Sequence, residues 1–144
     1  MTAPDPVPNA VPVRAIVINL DGVITTFDRR ASTVALQETL LKNMAVEDID
    51  QRLNGSNEGA KALRRFQCGE TREDEFLAAC QAILGQALPA DPFWLAWCTG
   101  FAPNKPIIDL LRRVRKANAG VRVIGLTDLD PRRLAYAASL SCVR

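Results

Sequence analysis

Two short apolar runs, Arg14-Ala-Ile-Val-Ile-Asn19 and Val121-Arg-Val-Ile-Gly-Leu126, constrain this chain more than any other feature. Both are rich in β-branched residues and both stop at a polar break, Leu20-Asp21-Gly22 after the first and Thr127-Asp128 after the second. A brief, continuous apolar run bounded by turn formers reads as a strand buried on both faces. Almost everything between the two runs carries helical signals. Two buried strands joined by a helical crossover should lie parallel in one sheet. Their polar breaks then leave from the same edge, the carboxyl ends, where open α/β sheets hold their ligands.

The intervening residues divide into helices by spacing and capping. Val34, Leu36, Leu40, Leu41 and Met44 mark one amphipathic helix, and Val46, Ile49 and Leu53 a shorter second one. Asn57 is positioned to cap a third, which carries Ala60, Leu63 and Phe66 and stops near Gly69. Thr71-Arg-Glu-Asp74 resembles a capping box, opening a helix with Phe76, Leu77, Cys80, Ile83 and Leu84 inward and Gly85 at its end. Asp91-Pro92 is a further helix start. Phe93, Trp94, Trp97, Cys98 and Phe101 form an aromatic helix, read as core packing or as a substrate-facing wall. A longer helix starts near Asn104-Lys-Pro106 and should bury Ile107, Ile108, Leu110, Leu111 and Val114. Asp130-Pro131 starts the last, running from Arg132 to about Leu140. The Gly55-Ser-Asn-Glu-Gly59 stretch has neither a lysine nor a preceding strand, so it reads as a capping turn and not as a phosphate loop.

Composition narrows the chemistry. The chain has 144 residues, enough for one domain with a real core, and no histidine. Without histidine, Ser-His-Asp and Cys-His schemes are excluded, and any hydrolysis must run on carboxylates. Cys68, Cys80, Cys98 and Cys142 show no CxxC pair, so they read as free thiols and not as zinc ligands. A net charge of +2 is too small to suggest a nucleic-acid or membrane-surface partner. Arg112, Arg113, Arg115 and Lys116 accordingly read as a solvated helix face. No run is long enough to span a membrane and the N-terminus is unlike a secretory signal, so a cytoplasmic location is expected. Pro4, Pro6, Pro8 and Pro12 make residues 1–13 a loose tail.

The strand ends hold the residues that can carry chemistry. Along Ile18-Asn19-Leu20-Asp21-Gly22, the period of two aims residues 19 and 21 to one side. This stretch resembles the first motif of the haloacid dehalogenase (HAD) superfamily, a strand ending in Asp-x-Asp-Gly. Gly125-Leu126-Thr127-Asp128 is similar to the second motif. Leu63 to Phe76 looks like the helical cap of the subgroup that includes sugar-phosphate phosphatases, and Leu110-Leu-Arg-Arg-Val-Arg-Lys116 like the helix leading into the second motif. The resemblance covers roughly Arg14–Leu140. It implies an α/β fold, a partial Rossmann-like parallel sheet with an all-helical cap inserted after the first strand. Residues 14–27 and 102–144 would form the partial core and 28–101 the cap. It also implies magnesium-dependent hydrolysis of a small phosphorylated metabolite through an aspartyl-phosphate. In that scheme position 19 is the nucleophile, and Asp21 is the general acid/base whose backbone carbonyl helps hold magnesium. Thr127 and Asp128 bind the phosphoryl oxygens. Read without the resemblance, Asp21 is a turn cap and Thr127-Asp128 a plain strand-to-helix turn.

The departures from that pattern point to an inactive chain. Position 19 is Asn, whose neutral amide is neither a carboxylate nucleophile nor an anionic magnesium ligand. Asp128 stands where the family commonly has Asn, which adds negative charge where a dianion should sit. The family's third motif, a Lys or Arg, and its acidic fourth motif have no sequence left to occupy after Leu140, so magnesium should not be held tightly. The expectation is a degenerate phosphohydrolase, as a remnant, a chain completed by a partner, or a small fold held by its helices. The rival expectation is a non-catalytic assembly module that self-associates through the open edges of its sheet.

Overall fold

The structure, a computed structural model, describes residues 13–140. All but Val13 of the expected proline-rich tail, and Cys142, lie outside the described residues. The order is β1 (Ala15–Asn19), β2 (Thr25–Phe27), α1 (Arg29–Thr39), then α2 (Val46–Asp50), which runs on into a π-helical turn over Gln51–Gly55. There follow α3 (Asn57–Gln67), α4 (Glu73–Leu84), α5 (Ala90–Cys98), β3 (Phe101–Pro103), α6 (Lys105–Ala117), β4 (Arg122–Leu126) and α7 (Pro131–Ser139). This is the expected α/β mixture: a small parallel sheet joined to a large helical part.

The two β-branched runs pair as the crossover rule requires. β1 and β4 are parallel, with Ala15 opposite Arg122 and Asn19 opposite Leu126. A second pair was not legible in the sequence: β2 and β3 run antiparallel, with Phe27 opposite Phe101, and join the helical segment to the sheet as a two-stranded neck. The Asp28 N–H donates to the Gly100 carbonyl at 3.0 Å, which closes the neck where α1 begins and α5 has just ended. Phe101 therefore belongs to β3 and not to the aromatic helix, because Gly100, at φ 102°, turns the chain out of α5.

The core sits among the helices. Leu36, Leu41, Ile49, Leu53, Phe66, Phe76, Cys80, Leu84, Phe93, Trp94 and Trp97 form one buried cluster, with Tyr136 of α7 packed against it. Phe66 stacks on Phe76 with ring centroids 4.5 Å apart, and Phe93 stacks on Trp97 at 5.7 Å. Each such buried side chain is worth roughly 1.5–3 kcal/mol of transfer free energy, so the helical part has its own means of holding together.

The sheet is not buried as the sequence suggested. Val17 in β1 is 62% exposed, and Ile124 and Leu126 in β4 are 44% and 64% exposed. One face of the parallel pair is uncovered among the described residues, so a strand suited to burial on both faces is covered on one. Leu110 of α6 is exposed as well, and of that helix only Ile108 is fully buried.

Several helix boundaries also shift. α1 ends at Thr39, and Leu40, Leu41 and Met44 pack from the turn after it. α3 is capped by Ser56 and not Asn57, the Ser56 Oγ accepting from the Gly59 N–H at 3.0 Å, so the 55–59 stretch is a capping turn. The box at α4 lies one residue later than expected: Glu75 accepts from the Arg72 N–H at 2.8 Å, while the Thr71 hydroxyl is buried without a partner. Arg112, Arg113, Arg115 and Lys116 are all exposed, as a solvated face requires.

Candidate functional site

The parallel register brings the two motif loops to one edge. Asn19, the last residue of β1, faces Leu126, the last of β4, and the Leu20 N–H continues the ladder to the Leu126 carbonyl at 2.8 Å. Thr127 and Asp128 follow directly. The Asn19 and Asp128 side chains belong to exposed residues, and Asp21 and Thr127 are half-buried.

Local chemistry shapes both loops. After β1 the chain closes tightly on the Leu20 carbonyl, which accepts from the N–H of Ile24 (3.0 Å), the N–H of Thr25 (2.9 Å) and the Thr25 hydroxyl (3.1 Å). That closure needs a left-handed residue, and Gly22 supplies it at φ 76°. After β4 the Thr127 oxygen accepts from the Leu129 N–H at 3.0 Å, a side-chain turn that fixes the hydroxyl and leaves its proton free to donate.

A buried polar cluster lies just beyond the second loop, where the sequence signals only a helix start. Asp130 is fully buried and caps α7, its Oδ1 accepting from the Arg133 N–H at 2.9 Å. Its Oδ2 accepts from the Trp97 indole N–H at 3.1 Å. Arg133, 8% exposed, donates from Nε to the Trp97 carbonyl at 3.3 Å and lies 3.6 Å from the Asp130 carboxylate. Its guanidinium is 3.9 Å from the Trp97 ring centroid and 4.4 Å from that of Phe27, so it is held between α5 and the neck. Burial lowers the Arg133 pKa, and the Asp130 and Asp21 carboxylates oppose that effect. The signal available in the sequence was Asp130-Pro131. Nothing in spacing alone ties it to Trp97.

The strand ends offer the carboxylates of Asp21 and Asp128 and the neutral amide of Asn19 as oxygen donors, and Mg2+ favours anionic oxygen ligands in near-octahedral array. Among the described residues no three acidic, cysteine or histidine side chains are grouped to hold an ion, and no helix is long and apolar enough to cross a membrane.

No protein-family model and no curated protein matches this sequence. Solved structures do. A HAD family enzyme, bt-2542 from Bacteroides thetaiotaomicron, superposes with a TM-score of 0.68 at 16% identity, over 89% of this chain and 59% of that one. The fold is that of the HAD family enzymes. The same HAD enzyme in complex with magnesium and inorganic phosphate gives a TM-score of 0.67 at 18% identity, over 90% and 60% of the two chains. A predicted HAD-like family hydrolase from Porphyromonas gingivalis gives 0.66 at 23% identity, over 92% and 60%. This chain thus spans about three fifths of the length of the HAD structures it matches.

Proposed function

We propose that this chain carries the phosphoryl-binding edge of a HAD-like, magnesium-dependent phosphohydrolase of small phosphorylated metabolites, and that it does not itself turn over. Residues 28–101 would act as the helical cap over that edge. The observation that carries the reading is the register: Asn19 sits at the end of β1 opposite Leu126, beside Thr127 and Asp128. In the family scheme the nucleophile belongs at position 19, with Asp21 as acid/base and the Thr127 hydroxyl on the phosphoryl oxygens. An amide at position 19 cannot attack phosphorus as a carboxylate does. With Asp21 and Asp128 as the carboxylates at this edge, repulsion of a bound dianion adds to the loss. Charge stabilisation carries most of phosphoryl transfer, and each lost group costs roughly 10²–10³ in rate.

The test is a phosphatase assay on the purified chain with p-nitrophenyl phosphate, with and without magnesium. No magnesium-dependent turnover is expected, and turnover by the native chain would overturn the reading. Asn19→Asp should strengthen magnesium binding in calorimetry by adding an anionic oxygen at the strand end. Unchanged binding would remove position 19 from the metal site.

Among the described residues β1 and β4 pair only with each other, and these open edges, with the uncovered face beside them, favour a second reading, in which another copy of the chain pairs on the open edges and covers that face. Val17 and Leu126 are among the most exposed large apolar residues of the molecule, and an unpaired strand is a template for further pairing. Sedimentation would show a stoichiometric oligomer, and a monodisperse monomer at every concentration would count against it.

A further inference from the structure

Arg133 has donors that no side chain or carbonyl of the described residues engages. Its Nε end is occupied by the Trp97 carbonyl and by the Asp130 carboxylate at 3.6 Å. Its Nη groups make no hydrogen bond among the described residues, although the side chain is more than nine-tenths buried. A guanidinium carries five N–H donors, and the Nη groups of Arg133 are not enclosed, so they keep the solvent contact through which an outside ligand can reach them. The group cannot swing freely, because the rings of Trp97 and Phe27 lie close to it and Nε is tied to α5. Its place is beside the strand-end loops: Asp130, its anchor, lies three residues beyond Thr127, and Phe27 ends the short strand that leaves the Asp21 loop. Asp21 is among the carboxylates that oppose the lowering of the Arg133 pKa by burial.

A phosphoryl dianion at Thr127 would sit near the carboxylates of Asp21 and Asp128, and it needs a compensating cation. Arg29 is the other arginine whose charge reaches this cluster, but it is exposed to solvent, where its charge is screened. We propose that Arg133 is the anion-neutralising residue of the strand-end site, its free Nη groups binding the phosphoryl oxygens of the ligand whose other face Thr127 receives. Asp130 and Trp97 are then positioning residues, which fix Nε and aim the Nη groups. Planar, bidentate recognition of phosphate is the use to which such a fork is suited. The inference rests on reading the strand ends as a phosphoryl site, and it assigns that site a cation from among the described residues.

The experiment is a titration of the full chain with inorganic phosphate at constant ionic strength, followed by calorimetry and tryptophan emission. Saturable binding is expected for the native chain, weakened by roughly tenfold or more in Arg133→Met and in Thr127→Val. It should be preserved in Arg132→Met, whose native side chain pairs outward with Glu73. If phosphate binds, depends on Thr127 and is indifferent to Arg133, the assignment of Arg133 is overturned while the phosphoryl site stands. Equal weakening by Arg132→Met and Arg133→Met also overturns it, since diffuse charge would then suffice. Absence of phosphate binding by the native chain overturns both. Should Arg133→Met fail to fold, the native chain still decides: the guanidinium 15N resonance of Arg133 must shift with phosphate while that of Arg132 does not, and an unmoved Arg133 resonance overturns the assignment.

Discussion

The indole N–H of Trp97, near the end of α5, donates to the carboxylate of Asp130 at 3.1 Å, thirty-three positions along the chain. The bond ties the last helix before the neck to the loop that follows Thr127. Asp130 is fully buried, and its carboxylate is met by the indole, the Arg133 N–H and the Arg133 guanidinium. Trp97→Phe keeps most of the ring contacts but removes the donor, and should lower stability by about 1–3 kcal/mol. Asp130→Asn keeps a capping oxygen yet leaves Arg133 buried without its counter-charge, so it should cost more, about 3 kcal/mol. Urea denaturation with matched slopes checks the order of the two. Equal and negligible losses would show that the cluster is open to water in solution.

Gly100 and Gly22 both have positive φ, and their surroundings predict different penalties. A Cβ on Gly100 would run into the carbonyl of Asp28, a backbone atom fixed by the neck, whereas a Cβ on Gly22 would meet nothing within 4 Å. Gly22→Ala should therefore cost about 1 kcal/mol, the left-handed penalty alone. Gly100→Ala should cost about 3 kcal/mol or prevent folding, since the neck must open to admit it. Thermal melts of the two variants side by side would test this. A milder effect at Gly100 would mean that the neck is loose.

The thiols offer a pH-dependent check on the helical core. Burial pushes Cys80 up to about 12 and Cys98 to about 11, from an ordinary value near 9. Both are neutral when folded and ionise more readily once unfolded. Their contribution to stability is thus complete below about pH 9 and is lost as the pH rises through about 11–12. The urea midpoint should fall between pH 8 and pH 10.5, and it should fall less steeply in a Cys80→Ala, Cys98→Ala double variant. In the native state at neutral pH a thiol reagent should label exposed Cys68 quickly and leave both buried thiols untouched until unfolding.

The parallel pair was legible because β-branched runs over Ile16–Ile18 and Val123–Ile124 carry an unambiguous signal, and the crossover rule then placed Asn19 near Thr127. The neck was not. Three residues, Thr25–Phe27, are too few to show alternation, and Pro103 reads as a breaker until an edge strand is known to need it there. The uncovered face is not legible for a different reason: an apolar run records what a strand can have covered, and says nothing of what covers it. The Trp97–Asp130–Arg133 cluster escaped because Trp97 lies on α5 while Asp130 and Arg133 open α7, and Arg133 looks, by composition, like a surface residue of that last helix.

The exposed face of the parallel pair makes the final prediction. Val17 and Leu126 gain little from the fold as described, since more than half of each side chain's accessible surface is in water. Replacing both with Thr keeps the β-branched shape at Val17 and introduces it at Leu126, while removing apolar area. Stability of the isolated chain should change by less than about 0.5 kcal/mol for each site. If copies pair through this face, the native melting midpoint rises with protein concentration, because association stabilises only the folded state. The double variant should then lose that rise while melting as the dilute native chain does. A native midpoint indifferent to concentration would remove the self-pairing reading. A double variant destabilised by more than about 2 kcal/mol at high dilution would show instead that the face is covered within a single chain, a loss of the size expected when buried apolar groups are replaced.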